Sequence, residues 1–354
     1  MGRVLMKGTE AIAEAAIQAG CKHFFGYPIT PQNEIPEYMS KRLFEVGGVY
    51  LQAESEVAAS NMILGGGSTG EPVMTSSSSP GVSLMAEAIS YMAGQETPVV
   101  IVNVMRAGPG LGGILPAQGD YSQATGGMAH GDFKLIVLAP STVQESVDMM
   151  QKAFNLAQKY RNPVVMICDG VIGQIMEAVE IPEGNPENLS NPVDWACGYM
   201  KERGKRTILH SLILDPEELE SHNKHLEAKW KRIKEKETDC ETYKTEDAEV
   251  VISAFGTVAR IARSVVDKLR AEGFKVGLIR PLLVSPFPEK EFEGLISTCK
   301  HILDVEMNWG QMKKDVESAV KYRIPVSFFG HTGGICPTVS EIEREVRKIF
   351  TELG

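Results

Sequence analysis

Several features are missing from this 354-residue sequence, and each absence argues against a class of protein. The six cysteines are scattered without any Cys-x-x-Cys pair, which argues against a disulfide framework, structural zinc or an iron–sulfur cluster in this chain. No stretch approaches the roughly 20 apolar residues of a membrane span, and the apolar run at the start is too short for a signal peptide. We therefore expect a cytoplasmic protein with reduced thiols.

A surplus of positive charge is also missing, because the formal net charge is -10. An acidic chain without a basic patch is not expected to bind nucleic acid or an anionic membrane. Phosphate-loop and hydrolase motifs are absent too, since Gly65–Gly70 lacks the Lys-Ser/Thr ending and no serine elbow is found. Gly108–Gly113 matches Gly-x-Gly-x-x-Gly formally, but Pro109 interrupts it and no helix is predicted to follow. Dinucleotide binding is therefore rejected.

What the sequence does contain is a long alternation of strands and helices. Its 354 residues exceed the usual size of one hydrophobic core, so we expect two domains. Near-continuous Val/Ile runs indicate strands that are buried on both faces. Such strands, alternating with amphipathic helices, predict a doubly wound parallel α/β sheet. The predicted strands are His23–Tyr27, Val49–Ala53, Pro72–Ser76, Pro98–Met105, Leu135–Ala139 and Pro163–Cys168.

The pattern changes twice further along the chain. Residues 176–247 have little periodicity apart from a charged helix predicted at 217–236, so we interpret them as a linker. A second α/β pattern with about four strands occupies residues 248–354. We therefore predict a first domain at 1–175, a linker, and a smaller second domain.

Polar groups follow the first two predicted strands. One strand leads into a proline-flanked turn that carries the hydroxyl of Thr30, and the next leads to Glu56. Glu56 opens a helix of small and apolar residues, so we expect its carboxylate to be partly removed from water. Because the carboxyl ends of parallel strands form the ligand edge of an open α/β sheet, Thr30 and Glu56 should meet at one site.

Each of these two groups also has a purely structural interpretation. Thr30 could cap a helix that starts at Pro31, and such capping is compatible with ligand contact. Glu56 could complement the dipole of its own helix, a role that Glu54 could share. First-turn acids and hydroxyl caps are common, so these alternatives stay open at the level of the local sequence.

Two further candidates lie after the next strands. Ser79 belongs to a Ser-rich turn that precedes a helix, where backbone amides and hydroxyls favour a polar ligand. Arg106 follows the strand that ends at Met105, and its planar guanidinium suits a small carboxylate. The alternative for Arg106 is a surface arginine on a loop.

The long loop after Arg106 contains three more titratable residues. These are Asp120, His130 and Asp132. Loops longer than about 15 residues inside a compact domain are usually functional or disordered. His130 could assist proton transfer, shape a pocket or lie in solvent.

Taken in order, these motifs resemble the alpha subunit of 2-oxoacid:ferredoxin oxidoreductases. The resemblance covers most of the chain, and the residues of the motifs are most similar to those of the branched-chain (2-oxoisovalerate) members. It implies a thiamine-diphosphate pyrimidine-binding-type domain at 1–175 and a transketolase-C-terminal-like domain at 248–354. The motifs that carry it are Gly26–Pro31, Glu54–Glu56, Ser79–Met85, Arg106–Pro109 and Val305–Gln311.

The resemblance implies roles for three residues toward thiamine diphosphate. Glu56 would hydrogen-bond N1' of the aminopyrimidine and favour the tautomer that removes the C2 proton. Tyr27 and Pro28 would contact the cofactor, with Pro28 packed on the pyrimidine. The chain would in this way bind only one end of the cofactor.

It also implies a substrate site. The hydroxyl of Thr30 would meet an oxygen of the 2-oxoacid and the guanidinium of Arg106 would bind its carboxylate. Ser79 and His130 are further candidates for substrate binding, from their places in the Ser-rich turn and the long loop. Glu56, Arg106 and Thr30 would then be the catalytic residues. The implied reaction is oxidative decarboxylation of a 2-oxoacid with coenzyme A to acyl-CoA, CO2 and reduced ferredoxin.

The chain lacks the motif that would hold the other end of the cofactor. No Gly-Asp-Gly motif followed by Asn occurs at the spacing of a metal-binding loop. The most similar segment is Cys168–Gly170, which does not match that motif. The resemblance therefore implies a beta subunit that holds the diphosphate, together with gamma and ferredoxin-like delta subunits. Mg²⁺ and the iron–sulfur clusters are expected on these partners, no metal is expected on this chain, and the chain alone should be inactive.

Two other interpretations remain. A relative that acts on 2-oxoglutarate or pyruvate is one; a dicarboxylate would call for a second cation, and the absence of Lys and Arg from Gly108–Gly119 favours a monocarboxylate. A nonenzymatic α/β binding module that keeps the fold is the other. The presence of both Glu56 and Arg106 argues against a degenerate copy.

Overall fold

The computed structural model describes residues 2–184 and 191–354; the part of the predicted linker at 185–190 lies outside the described residues. The helices are α1 (Gly8–Gln18), α2 (Glu34–Glu45), α3 (Glu56–Ser68), α4 (Ser79–Gly94), α5 (Val143–Tyr160), α6 (Gly170–Gln174), α7 (Met200–Arg203), α8 (Pro216–Lys236), α9 (Gly256–Ala271), α10 (Glu289–Glu293), α11 (Lys313–Ala319) and α12 (Val339–Leu353). The strands are β1 (Val4–Lys7), β2 (His23–Gly26), β3 (Val49–Gln52), β4 (Val73–Ser77), β5 (Val100–Met105), β6 (Ile136–Leu138), β7 (Val164–Asp169), β8 (Met176–Val179), β9 (Cys240–Tyr243), β10 (Val250–Ser253), β11 (Val276–Pro281), β12 (Leu283–Ser285), β13 (His301–Glu306) and β14 (Val326–Gly330).

The larger sheet confirms the doubly wound parallel prediction. Its strand order is β12-β6-β7-β5-β4-β2-β3, and every pair is parallel except β12 with β6. The central strands β4, β5 and β7 are buried along their whole length, as the Val/Ile runs predict. Apolar residues of α1, α2 and α5 pack on one face, and those of α3 and α4 pack on the other.

The strand order reverses direction between β2 and β4. The chain moves outward from β2 to β3, and from β4 to β5 on the opposite side. Loops that follow β2 and β4 therefore separate above the sheet and leave a crevice at its carboxyl edge, which is the usual ligand position in open α/β sheets. This reversal puts Thr30, Glu56, Ser79 and Arg106 on loops and helix ends around one crevice.

The smaller sheet has five strands where the sequence predicts about four. Its order is β14-β13-β10-β11-β9, and the additional strand β9 lies in the predicted linker and pairs antiparallel with β11. Three other short strands were also not predicted. β8 pairs with β1, and β12 crosses over to pair with β6 at the edge of the larger sheet.

The charged helix α8 is present at the predicted position, but one part of it is buried. Ile233 and Lys229 are inaccessible, and Lys229 Nζ lies 3.2 Å from the Glu96 carboxylate and donates to the Arg161 carbonyl. Burial lowers the pKa of Lys229, which the adjacent Glu96 partly offsets. The helix is therefore held against the core of the larger sheet by the buried side chain of Ile233 and by the ion pair between Lys229 and Glu96.

The two sheets share one apolar core. Residues from both regions pack together in it, including Ile89, Val165, Phe255 and Phe292. Polar contacts cross the same boundary: Gln118 donates to the Phe255 carbonyl and accepts from Met307 N. None of the helices in the two described ranges combines the length and the apolar character needed to cross a bilayer.

Asp169 adds a second polar connection across that boundary. Its carboxylate caps α6 by accepting from two backbone amides of that helix. It also accepts from the backbone amide and the hydroxyl of Thr257, at 3.2 and 2.7 Å, in the first turn of α9. One buried side chain therefore holds the start of α6, which follows strand β7 of the larger sheet, and the start of α9, which follows strand β10 of the smaller sheet.

Candidate active site

Glu56 lies where the sequence places it, at the first turn of α3. Ser55 caps the helix through its hydroxyl, which accepts from Ala58 N at 3.2 Å. Glu56 is 7% exposed, whereas Glu54 is exposed. Within residues 2–184 and 191–354 the Glu56 carboxylate has no hydrogen-bond partner. A buried acid without a partner in the described part of its own chain fits a role toward a bound group better than a role as a helix cap.

Gly81 explains how the carboxylate of Glu56 can reach the start of α4. A methyl carbon at position 81 would stand 2.7 Å from Glu56 Oε1 and 2.2 Å from the Ser77 hydroxyl. Only a residue without a side chain leaves room for that approach. The carboxylate therefore lies against the backbone of α4, close to the end of β4.

Buried hydroxyls surround the end of β4. In the described part of the chain, the hydroxyls of Thr75, Ser77 and Ser78 have no hydrogen-bond partner although each is fully buried. Ser76 is different, because its hydroxyl donates to Gln32 at 2.5 Å. Unpaired buried hydroxyls beside an unpaired carboxylate are costly for folding and are typical of a site that a ligand completes.

The turn after β2 is tied to β4 through Gln32. This fully buried amide donates to the Tyr27 carbonyl at 3.2 Å and accepts from Ser76. Pro28 remains exposed, and Tyr27 and Thr30 are half-buried. The turn is thereby held over the crevice with Pro28 facing outward.

The helix predicted to start at Pro31 begins three residues later. α2 starts at Glu34, and Thr30 does not cap it; its hydroxyl accepts from the Asn33 amide at 3.3 Å instead. The prediction of N-capping by Thr30 is therefore wrong. The physical reason is Gln32, whose contacts with Tyr27 and β4 keep the preceding turn out of the helix.

Arg106 is buried, with 7% exposure, at the end of β5. Its Nη1 donates to the Thr30 carbonyl at 3.0 Å and its Nη2 to the Leu111 carbonyl at 3.1 Å. Its Nε is buried with no partner in the described part of the chain. The structure thus places the Arg106 guanidinium against the backbone carbonyl of Thr30, and Arg106 is not an exposed surface arginine.

A cleft of about 720 Å³ lies between the start of α4 and the smaller sheet. On one side it is lined by Ser79, Arg106 and Asp120, and on the other by Asn308 and Trp309, the latter 78% exposed. Of the described residues that line the cleft, Arg106 and Asp120 are the ionisable ones. The cleft therefore offers one cation and one acid to a small anionic ligand.

Asp120 and Ser79 are joined directly. The Ser79 hydroxyl donates to Asp120 Oδ2 at 2.6 Å, and Asn103 Nδ2 donates to the same oxygen at 2.9 Å. Burial raises the pKa of the Asp120 carboxyl, and these two hydrogen bonds partly offset the rise. Reasoning from the sequence missed Asn103, for which the signal was a lone amide inside the apolar strand Val100–Met105.

His130 lines a different cavity. It stands edge-on to Tyr91, 6.0 Å between ring centroids, and its carbonyl accepts from Ser90. That cavity of about 860 Å³ lies between α4, the loop around His130 and the charged helix α8. The structure does not bring His130 to the cleft of Arg106 and Asp120.

These features define a class of protein. A doubly wound parallel sheet is joined here to a smaller, mostly parallel sheet, and its crevice holds a buried glutamate that has no partner among the described residues. A split-gene transketolase, an inactive tetramer, shares this fold at a TM-score of 0.59 with 13% identity, over 98% of both chains.

Family models specify the class further. Residues 14–235 match the thiamine-diphosphate-binding domain of pyruvate flavodoxin/ferredoxin oxidoreductases, and residues 248–342 match core domain II of pyruvate:ferredoxin oxidoreductase. The chain belongs to this family and is a subunit of a 2-oxoacid:ferredoxin oxidoreductase. The family resemblance stated from the motifs is thereby confirmed.

Individual relatives agree with this assignment. The ketoisovalerate oxidoreductase subunit VorB of Methanothermobacter thermautotrophicus is 44% identical, over 99% of this chain and 98% of that protein. The 2-oxoglutarate synthase subunit KorA of Methanocaldococcus jannaschii is 36% identical over 96% and 98%. The solved 2-oxoglutarate:ferredoxin oxidoreductase from Magnetococcus marinus, with 2-oxoglutarate, coenzyme A and succinyl-CoA bound, superposes at a TM-score of 0.87 with 26% identity. That alignment covers 98% of this chain and 65% of the solved one.

Replacing Gly81 by alanine should damage the site because the new methyl group has no space. We expect the Glu56 carboxylate or the Ser77 hydroxyl to be displaced, with a loss of about 1–3 kcal/mol of stability. Thermal unfolding of the chain and titration of its assembled complex with thiamine diphosphate measure the two effects. Gly65→Ala is the matched control, since a methyl group there meets nothing within 4 Å. Equal behaviour of the two variants would contradict the packing described here.

Proposed function

We propose that this chain supplies the pyrimidine-side half of a thiamine diphosphate site and the carboxylate-binding arginine of a branched-chain 2-oxoacid:ferredoxin oxidoreductase. The observation that carries the proposal is the buried carboxylate of Glu56, which has no partner in the described part of its own chain and lies at the ligand edge of the sheet. The complete reaction would convert the 2-oxoacid, coenzyme A and oxidised ferredoxin to acyl-CoA, CO2 and reduced ferredoxin.

The residues present fit the pyrimidine end of that cofactor. Glu56 would hold a proton at a ring nitrogen, and the exposed ring of Pro28 would offer an apolar contact beside Tyr27. When bound, thiamine diphosphate would supply a carbon nucleophile for the carbonyl carbon of a 2-oxoacid and an electron sink for the electron pair left when CO2 departs. The chain's own contribution is to orient the ring, to hold that proton and to keep water from the buried carboxylate of Glu56.

Arg106 and Thr30 would bind the substrate. The two outer nitrogens of the buried guanidinium each donate one hydrogen to a backbone carbonyl, which orients the group, and each keeps a second hydrogen without a partner among the described residues. A fork of this kind is suited to a carboxylate. Ser79 would support this arrangement from the start of α4, since its hydroxyl accepts from Arg106 N.

The proposed preference for a branched-chain substrate has two supports. Arg106 is the one cation among the described residues that line the cleft, so the second carboxylate of 2-oxoglutarate would find no partner there. Relatives at 44% identity are ketoisovalerate oxidoreductase subunits, while those at 34–36% are 2-oxoglutarate synthase subunits. An apolar side chain is therefore the better fit.

Partner chains would complete the enzyme. Within the described residues, no group of three or more His, Cys, Asp or Glu side chains is arranged to hold a metal ion. We propose that a beta subunit holds the diphosphate and Mg²⁺, and that gamma and ferredoxin-like delta subunits complete the complex, with iron–sulfur clusters on these partners. All six cysteines are free thiols, which supports a cytoplasmic location.

The boundaries of the domains are part of the same proposal. Residues 1–175 would form the pyrimidine-binding-type domain, 176–247 the linker with its charged helix, and 248–354 the transketolase-C-terminal-like domain.

The test is a substrate profile of the complex reconstituted with its partner chains. Reduction of a viologen dye with coenzyme A should show the highest kcat/KM with 2-oxoisovalerate and lower values with pyruvate and 2-oxoglutarate. A preference for 2-oxoglutarate would overturn the substrate assignment. No reduction with any 2-oxoacid, in a complex that contains cofactor and clusters, would overturn the function itself.

A further inference from the structure

Four polar groups form one continuous chain of hydrogen bonds at the edge of the cleft. Asn103 Nδ2 and the Ser79 hydroxyl both donate to Asp120 Oδ2, and the Ser79 hydroxyl oxygen accepts from Arg106 N at 3.0 Å. The four residues come from β5, α4 and the loop after β5. The carboxylate of Asp120 is thus linked to the backbone of Arg106 through one hydroxyl.

The accepting oxygen of Asp120 sets the direction of this chain. A hydroxyl has one proton, and a carboxylate oxygen only accepts, so the Ser79 proton points to Asp120. The 2.6 Å contact with Asp120 is shorter than the 3.3 Å separation from the Arg106 carbonyl, as expected for a charge-assisted bond. A lone pair of Ser79 is then left for the amide of Arg106.

Arg106 is consequently fixed at both ends. Ser79 holds its backbone amide, and the carbonyls of Thr30 and Leu111 hold its guanidinium. The loop that carries Asp120 is itself fastened to the smaller sheet, because Gln118 bonds Met307 at both backbone N and O. The position of Arg106 therefore depends on a carboxylate that is fixed by the packing of the two sheets.

We propose that Asp120 is a positioning residue for Arg106: its carboxylate holds the Ser79 hydroxyl as an acceptor for the Arg106 amide and so sets where the guanidinium meets the 2-oxoacid. This inference rests on the proposed role of Arg106 in carboxylate binding. The competing role for Asp120 is that of a proton donor or acceptor toward substrate, because it is the acid among the described residues that line the cleft.

Two substitutions separate these roles. Asp120→Asn retains an oxygen that can accept from Ser79 and Asn103 but cannot exchange a proton as an acid or base. Asp120→Ala removes the acceptor altogether, and Ser79→Ala removes the link to the Arg106 amide. Asp194→Ala, at an exposed aspartate of the same chain, is the matched control.

The assembled complex should respond in a specific way. Asp120→Ala and Ser79→Ala should raise the KM for 2-oxoisovalerate by about tenfold or more, the usual effect of losing a hydrogen bond to a charged group. The KM for coenzyme A and kcat should change by less than about threefold, and the peptide that contains Arg106 should exchange its amide hydrogens faster. Asp120→Asn should remain within about threefold of the parent in all of these quantities.

Two outcomes would overturn the inference. If Asp120→Asn lost kcat as severely as Asp120→Ala and also lost one limb of the pH profile, Asp120 would be a catalytic acid–base group. If Asp120→Ala left both the KM and the amide exchange unchanged, Asp120 would not position Arg106. The exchange measurement also separates this inference from the proposed function, since it reports the Arg106 backbone whether or not Arg106 binds substrate.

Discussion

Glu56→Gln in the assembled complex should slow exchange of the C2 proton of bound thiamine diphosphate by about 10²- to 10⁴-fold, the usual contribution of a positioned acid–base group. Glutamine has nearly the same shape, so the buried pocket formed with Gly81 should be retained. What is lost is a carboxylate able to hold a proton at the ring nitrogen. NMR-detected deuterium exchange on the bound cofactor, together with the kcat for 2-oxoacid oxidation, measures the loss.

The matched control is Glu54→Gln, two residues earlier on the same segment. Glu54 is exposed whereas Glu56 is buried, so the control variant should retain parental exchange rates. The thermal stability of the Glu56→Gln chain should not fall, because a buried carboxylate without a partner in the described part of the chain is itself unfavourable to folding. Near-parental exchange in Glu56→Gln would move the role to another acid.

Arg106→Lys should lower kcat/KM for the 2-oxoacid by about 10- to 100-fold. Lysine carries its N–H groups on a single nitrogen, so it cannot reproduce the planar fork that reaches the carbonyls of Thr30 and Leu111 through two separate nitrogens. Leu111 and its neighbours should then lose their fixed position, so the effect should be present in KM as well as in kcat. Steady-state kinetics of the reconstituted complex, with coenzyme A saturating, measure it.

Arg344→Lys is the matched control for this substitution, because Arg344 is exposed on α12 and its ion pair with Glu345 is long, at 3.7 Å. Its kinetic constants should be unchanged. An unchanged kcat/KM in Arg106→Lys would remove Arg106 from the carboxylate site and leave it as a structural connection between two loops.

The sequence was sufficient to predict the parallel strands of the larger sheet because its central strands are buried on both faces. Strands such as Val100–Met105 are apolar at nearly every position, and in so short a run this pattern favours a buried strand. The same pattern predicts that Glu56 and Arg106 lie at the carboxyl edge of the sheet, because Glu56 opens the helix after β3 and Arg106 directly follows β5. Local pattern and tertiary position agree here.

Other features depend on contacts between distant residues and leave no local signal. The strand Leu283–Ser285 is three residues long and is stabilised by pairing with β6, about 145 positions earlier. The late start of α2 results from the contact between Gln32 and Ser76, which are 44 residues apart. Likewise, only the folded chain shows that His130 and Arg106 line separate cavities.

The short strand Leu283–Ser285 has a practical consequence for anyone who divides or recombines this gene. It forms the outer edge of the larger sheet, and Ser285 also donates to the Leu135 carbonyl. An expression fragment that stops before this strand would expose the backbone of β6 and the shared apolar core, and such open edges promote aggregation. Chimeras that exchange the second half of the chain between relatives should therefore carry the β12 segment and its β6 partner from the same parent.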